Sequence, residues 1–273
     1  LEQQGLVVDA HHHEMAPGQH EIDFHFAGAL QSADTVTLAR LTTRSVARKH
    51  GLLATFMPKP SFGTNGSGMH THLSLVNLTD GGNAFYDAEG VENLNPIGLG
   101  FVAGLLAHAR ALSAVVAPTV NSYKRLTPGY EAPTYICWSP TNRSALVRIP
   151  SHQPGREDAT RIELRCPDPS ANPYLAFACI LRAGLDGVEH DMTPPPPVRE
   201  NMYDLGKEEL VLRGIDELPG TLGEALEALA ANQLMLDTLG QHVAPAFLTL
   251  RREEWDEYRI TVSQWELDRY LRK

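Results

Sequence analysis

The sequence predicts an α+β domain in which a curved, mainly antiparallel sheet forms the wall of a funnel and helices pack behind it. Three observations predict it. Residues 21–26, 69–76 and 161–166 alternate polar and apolar side chains, the period of strands with one wet face and one buried face. Between and after them lie longer apolar-periodic stretches, opened by capping residues, that read as helices. With 273 residues, 42% hydrophobic and 21% charged, the chain is long enough for one large domain or two small ones around a real core.

Composition excludes several classes of function. A net charge of −10 with no Lys/Arg block argues against nucleic acid or an anionic membrane as the main partner. Cys137, Cys166 and Cys179 are odd in number and sit among apolar neighbours, which suits buried thiols in a reducing compartment. No signal peptide opens the chain, so a cytoplasmic protein is expected. The most apolar run, 97–118, contains His108, Arg110 and four glycines or serines, and reads as a core helix before a membrane span. The chain starts at Leu1 inside a patterned segment, so it is expected to be a piece of something longer.

Taken in order, 7–13 and 21–26 read as two extended segments joined by the Pro17-Gly18 turn. Glu14 before the turn and Glu21 after it can aim at one spot, with His11, His12 and His13 beside them. Carboxylates backed by imidazole suit a hard divalent ion, although a half-exposed polar hairpin gives the same pattern. Residues 32–50 read as an amphipathic helix capped by Ser32 and closed by Gly51, and 53–57 as a short apolar strand. Gly63, Gly66 and Gly68 then make a loop whose backbone can approach a ligand. The following strand turns His70, His72 and Ser74 to one face. No P-loop or dinucleotide-binding glycine pattern is present. Asp80 to Asn83 reads as a turn, and Asn95-Pro96 caps a helix that must be buried nearly all round.

Residues 118–150, rich in Pro, Gly, Asn and Ser, read as a long lid or binding loop, with a strand-like SALV between Arg143 and Arg148. Lys124, Arg125, Arg143 and Arg148 crowd there. In 160–175, TRIELRCPDPSANPYL, a strand places Arg161, Glu163 and Arg165 on one face and Ile162, Leu164 and Cys166 on the other. Such a density of cations in an acidic protein suggests a site for phosphate or carboxylate. Asn172-Pro173 starts an amphipathic helix over 172–189, 194–197 is a polyproline spacer, and Thr221-x-x-Glu224 is a capping box. Residues 251–271 read as a polar-faced helix packing through Trp255, Val262, Trp265 and Leu267, and Tyr203 as a candidate modification site or plain packing.

HHEMAPGQHEIDF, NGSGMHTHLSL, NSYKRLTPGYEAP, NRSALVRIP and RIELRCPDPSANPYL, in this order, resemble glutamine synthetase of the bacterial and archaeal type I class, and the resemblance runs through EEWDEYRITVSQWELDRYL. It implies that 1–273 is the C-terminal catalytic domain of such an enzyme, without the family's N-terminal β-grasp domain. It implies an ATP-dependent ligase that phosphorylates the γ-carboxylate of glutamate and lets ammonia displace the phosphate, giving glutamine. By motif, Glu14 and Glu21 correspond to ligands of one Mg²⁺ or Mn²⁺, and His70 and Glu163 to ligands of a second. Arg125 and Arg165 would hold the carboxylates of glutamate, with Asn65 and Gly66 at its amino-acid end. Arg143, Arg148 and Arg161 would face phosphate, and Arg143 would also serve glutamate and catalysis. His72 and Ser74 would contact ATP, with Phe26 against adenine and Asp9 near the ribose or base. Glu131, on the loop resembling the family's flap, would accept a proton from ammonium. The parent would be a homododecamer of two stacked hexamers, its sites at subunit borders.

Two departures qualify this. Asp158 stands where many relatives carry a lysine three residues before the strand arginine, which removes one phosphate contact. The family's N-terminal part, with two further metal carboxylates and the aspartate that binds ammonium, is not in this sequence, so the chain alone is expected to have at most residual activity. Rival readings are a γ-glutamyl-amine ligase of the polyamine type and a catalytically dead scaffold. The RLTPGYEAP segment is the feature taken to favour ammonia.

Overall fold

The computed structural model describes residues 1–272 except 131, 154, 201, 203, 204 and 206. The chain opens with a hairpin of β1 (Val8–His13) and β2 (His20–Phe24), followed by α1 (Ala29–Lys49). Then come β3 (Thr71–Leu73), β4 (Tyr86–Val91), α2 (Pro96–Ala107), α3 (Ala109–Val116) and the single turn α4 (Ser122–Arg125). Next are β5 (Tyr135–Ser139), β6 (Ala145–Arg148), β7 (Ile162–Leu164) and α5 (Pro173–Glu189). The chain closes with α6 (Lys207–Leu212), α7 (Leu222–Ala230), α8 (Gln233–Ile260) and α9 (Gln264–Tyr270).

The α+β class is as expected, with a four-stranded sheet in the order β3-β7-β6-β5 and the β1-β2 hairpin standing apart from it. Two of the three pairings are antiparallel, and β5 runs parallel to β6. Only residues 140–144 join that parallel pair. Six Cα steps reach ~20 Å when extended, enough to run back along a strand of four or five residues. Ser139 Oγ accepts from the backbone N–H groups of Thr141 and Asn142 to hold this return. The stretch read as one long loop over 118–150 therefore contains a helical turn and two strands.

Behind the sheet, α2 and α5 lie close enough for backbone contact. A Cβ on Gly104 would run into the carbonyl of Ala183 and stand 2.7 Å from the Gly187 nitrogen. Asn95 and Asn172 cap these helices as read from the sequence, their Oδ1 atoms accepting from Gly98 N (2.9 Å) and Tyr174 N (3.0 Å). The apolar run is not one helix: α2 and α3 meet at His108 with a bend of 76°. His108 is held there by Asp186 of α5 (3.0 Å) and by Asn232, the cap of α8 (2.8 Å). No single helix among the described residues is long and apolar enough to cross a membrane.

Other boundaries move. Gly28, not Ser32, precedes α1, because Ala29 and Leu30 propagate the helix one turn upstream. No strand forms at 53–57, where Leu53 is 92% exposed. Thr221 Oγ1 accepts from Glu224 N, but the Glu224 carboxylate takes the N–H of Gly220, so the box is shifted by one residue. The stretch 251–271 is two helices, because Ser263 and Glu266 form a capping box that restarts the chain as α9. Trp255 packs on the core, whereas Val262, Trp265 and Leu267 stay exposed. Within α8 the helical geometry breaks at Gly240 (φ 79°, ψ 164°).

Candidate active site

Antiparallel pairing sets His12 opposite Glu21 and His13 opposite His20. Cross-strand partners share a face, so His12 and Glu21 project together, and Glu14 just past β1 turns toward them. His12 Nε2 stands 3.2 Å from Glu14 Oε1 and 3.7 Å from Glu21 Oε2. One donor atom from each of the three lies within 4.8 Å of the others, the only such group of metal-ligand side chains among the described residues. Burial and the neighbouring Glu14 push the Glu21 carboxyl up to about 7. Glu14, accepting a hydrogen bond from Glu21, is held below its ordinary value. Two carboxyls that must share a proton are a place where a divalent cation relieves repulsion. The set of two carboxylates and one imidazole fits Mg²⁺ or Mn²⁺. An ion must displace that proton, so affinity for Mn²⁺ is expected to fall roughly tenfold per pH unit below about 7. Titration calorimetry at pH 6 and pH 8 checks this: equal affinities would refute it, and Glu21→Gln should reduce the dependence.

The turn of the hairpin is tied to the glycine loop. Gln19 Nε2 donates to the carbonyl of Gly66 (3.0 Å) and to Ser67 Oγ (3.1 Å). Gly66 is pressed against the chain behind it, where a Cβ would sit 2.5 Å from Pro58 O and 2.9 Å from Arg125 Cγ. Gly68 lies against Arg125 Nη2 and His70 Nε2, which leads from the loop into the sheet. Asn65 is half-buried on this loop.

On the sheet, β3 pairs with β7 so that His72 faces Glu163, and β6 pairs with β7 so that Arg148 faces Glu163. Glu163 is 2% exposed at its side chain, in contact with His70 Nδ1 (3.3 Å), Arg165 Nε (3.5 Å) and Arg148 Nε. Burial alone would raise its carboxyl, but the His70 hydrogen bond and the Arg148 charge outweigh that and hold it at about 2. An ionised Glu163 only accepts, so His70 carries its proton on Nδ1 and leaves the lone pair on Nε2. His72 takes the other tautomer. Arg161 Nε donates to His72 Nδ1 (3.1 Å), so His72 offers an Nε2–H donor. Burial and the charge of Arg161 bring His72 down to about 4, so it stays neutral. Two histidines on one strand face thus present opposite functions, a lone pair and a donor.

The remaining expected residues fall as follows. Arg125 is buried, its guanidinium donating to the carbonyls of Cys166 (2.8 Å) and Arg165 (2.9 Å), which ties α4 to the exit of β7. Ser74 is exposed just after β3, and Arg143 is exposed in the turn between β5 and β6. Asp9 bonds His25 Nδ1 (3.1 Å), and Phe26 lies on the His25 ring at 4.5 Å, both at the end of the hairpin away from Glu14 and Glu21. Asp158 is exposed and paired with Arg156. Glu131 and Tyr203 lie outside the described residues. Sequence reasoning placed imidazole near Glu14 and Glu21 without choosing His12, although strand register across the turn could have chosen it. It missed Gln19 and Lys59, both of which act through loop carbonyls distant in pattern.

Residues 1–270 match the family model described as glutamine synthetase, catalytic domain. The chain is 55% identical over 267 residues to the glutamine synthetase of Thermus thermophilus, covering 98% of this chain and 59% of that protein. It is 50% identical over 272 residues to that of Methanocaldococcus jannaschii, covering 99% and 59%. It superposes on the solved structure "GmaS/ADP complex-Conformation 1" with a TM-score of 0.88 at 39% identity, covering 100% of this chain and 61% of that one. For "Apo GmaS without ligand" the values are 0.86, 39%, 99% and 60%. The chain therefore spans about three-fifths of the length of these relatives.

Proposed function

The chain belongs to the glutamine synthetase family, and from that premise we propose that it is the catalytic part of an ATP-dependent carboxylate–amine ligase acting on glutamate. The observation that carries this is the polar sheet face, where His70, His72, Arg148, Arg161, Glu163 and Arg165 stand together, linked by Gln19 and the glycine loop to the carboxylates of the hairpin. Likeness to a protein solved with ADP supports a nucleotide at this site.

Glu14, Glu21 and His12 would hold one divalent ion, and His70 with Glu163 a second once that ion takes the place of the proton between them. Bound there, the ions neutralise the triphosphate and the migrating phosphoryl group. Arg148 and Glu163 neutralise each other in the ligand-free protein. Glu163 would pair with the ion and Arg148 with a phosphate, so each would keep a counter-charge when their own ion pair opens. Arg161 and Arg143 add positive charge beside the phosphates, and His72 Nε2–H and Ser74 donate to the nucleotide. Phe26 and Asp9, at the far end of the hairpin, are its base and ribose contacts. Arg165, Asn65 and Gly66 receive glutamate, with Arg125 anchoring Arg165 by its carbonyl. Glu131 takes the proton released by the amine. Transfer of the γ-phosphoryl group gives γ-glutamyl phosphate, and attack by the amine expels phosphate. Excluding water matters because that acyl phosphate would otherwise hydrolyse.

On the acceptor, the solved neighbours, both named GmaS and not glutamine synthetase, support the γ-glutamyl-amine reading better than the ammonia reading suggested by RLTPGYEAP. Phosphate release by the intact protein, with glutamate or other acids and with ammonium, small alkylamines or polyamines, tests both levels. Release is expected only with glutamate and an amine together. ATP turnover that needs neither overturns the ligase reading, and a higher kcat/KM for ammonium than for every amine restores glutamine as the product. Two stacked hexameric rings belong to the same proposal, and the mass of the intact protein by light scattering reads it.

A further inference from the structure

Lys59 is the one buried lysine among the described residues, 9% exposed between Pro58 and Pro60. A buried ammonium is normally matched by a carboxylate. No carboxylate lies within ion-pair distance of Lys59 among the described residues; its ammonium meets an oxygen and a ring instead. Nζ donates to the carbonyl of Thr64, inside the glycine loop, and lies over the ring of Tyr130, 3.9 Å from its centroid. The backbone beneath is clamped on both sides, because Asn121 Oδ1 accepts from Lys59 N (2.8 Å) and Asn121 Nδ2 donates to Lys59 O (3.1 Å). Pro58 O accepts from Ser67 N (2.8 Å), which closes the loop over the same residue. One side chain thus touches two segments that belong to different parts of the site: the glycine loop that carries Asn65 and Gly66, and the segment 127–130 that leads directly into residue 131.

We propose that Lys59 is a positioning residue that fastens the glycine loop to the 127–130 segment, so that the cover over the glutamate end of the site and the floor beneath it move as one piece. The inference rests on the ligase reading for its catalytic consequence, though not for the contact itself. Burial weakens the hydration of the ammonium, which makes the ring face of Tyr130 a better partner than it is in water. The ring, not the phenol hydroxyl, supplies that interaction. Replacing the ring frees the 127–130 segment from the loop, and water then reaches the acyl phosphate before the amine does.

The test uses the intact protein with Lys59→Met, Tyr130→Leu and Tyr130→Phe. Tyr130 sits on a surface turn, so its variants fold even where the lysine variant is destabilised. Hydrogen exchange without ligands is read on peptides covering 61–66 and 126–130. Both peptides are expected to exchange roughly tenfold faster in Lys59→Met and Tyr130→Leu, and within about twofold of the parent in Tyr130→Phe. In the ligase assay, phosphate released per amide formed is expected to rise at least about fivefold in the first two variants and to stay unchanged in Tyr130→Phe. Loosening of the substituted segment alone overturns the proposal, and so does an equal defect in Tyr130→Phe. A parent protein without ligase turnover, but with the reciprocal loosening, overturns the ligase reading and leaves the fastening in place.

Discussion

Glu163→Leu is expected to cost about 3–5 kcal/mol of folding stability and to abolish amine-dependent phosphate release. The carboxylate is the common partner of Arg148, Arg165 and His70 on a strand whose side chains are all buried. Leucine fills the volume but leaves guanidinium groups facing an apolar wall, and the Nδ1 proton that fixes the His70 tautomer loses its acceptor. The pH dependence has a definite sign. Because the folded-state carboxyl is held at about 2, below its ordinary 4.5, its contribution is complete above about pH 4.5 and is lost as the pH falls toward 2. Urea unfolding at pH 5 and pH 3 should therefore show a larger drop for the parent than for Glu163→Leu. An identical drop in both would mean that the carboxylate is not held by its neighbours.

Gly104→Val is expected to remove about 3 kcal/mol or more, and to leave the chemistry of the site untouched in whatever fraction folds. The position lies where α2 meets α5 backbone to backbone, against Ala183 O and the Gly187 main chain. No rotamer of valine avoids a carbonyl oxygen at that range, so the helices must separate. Separation thins the contacts of Phe101, Leu105, Ile180 and Ala183, all fully buried or nearly so. The midpoint of chemical unfolding measures the effect. A midpoint equal to the parent's would show that the two helices pack less closely than these positions require.

The parts of the fold legible in the sequence are those decided within a few residues. Asn95-Pro96 and Asn172-Pro173 announce helix starts because an Asn side chain and the fixed φ of proline act on the next turn of backbone alone. The hairpin and the alternation of IELR could be read for the same reason. The break at His108 could not, since Asp186 and Asn232 make it from 78 and 124 residues away. Strand β5 was hidden by its turn-rich surroundings, β6 showed only as the strand-like SALV, and their parallel pairing has no local signal. In the site, the residue types and their strand faces were readable: Arg161, Glu163, His70 and His72 do meet. Which atoms they offer was not, because the tautomers depend on a β3-β7 register set by residues some ninety positions apart.

Gly240 gives α8 a further property. Helix propagation is cooperative only through residues of one handed geometry, so a left-handed residue divides α8 into two separately melting rods. The first carries Met235 and Leu239 into the core. The second grips the opposite end of the site's loops, with Glu254 taking the N–H of Val120 and Arg251 reaching Pro118 O. Heat that unravels the second rod would slacken the stalk of the 118–130 segment and strip Ala244 and Trp255 from the interior, while Met235 and Leu239 stay seated. Inactivation would then precede denaturation, separated by the width of a single glycine.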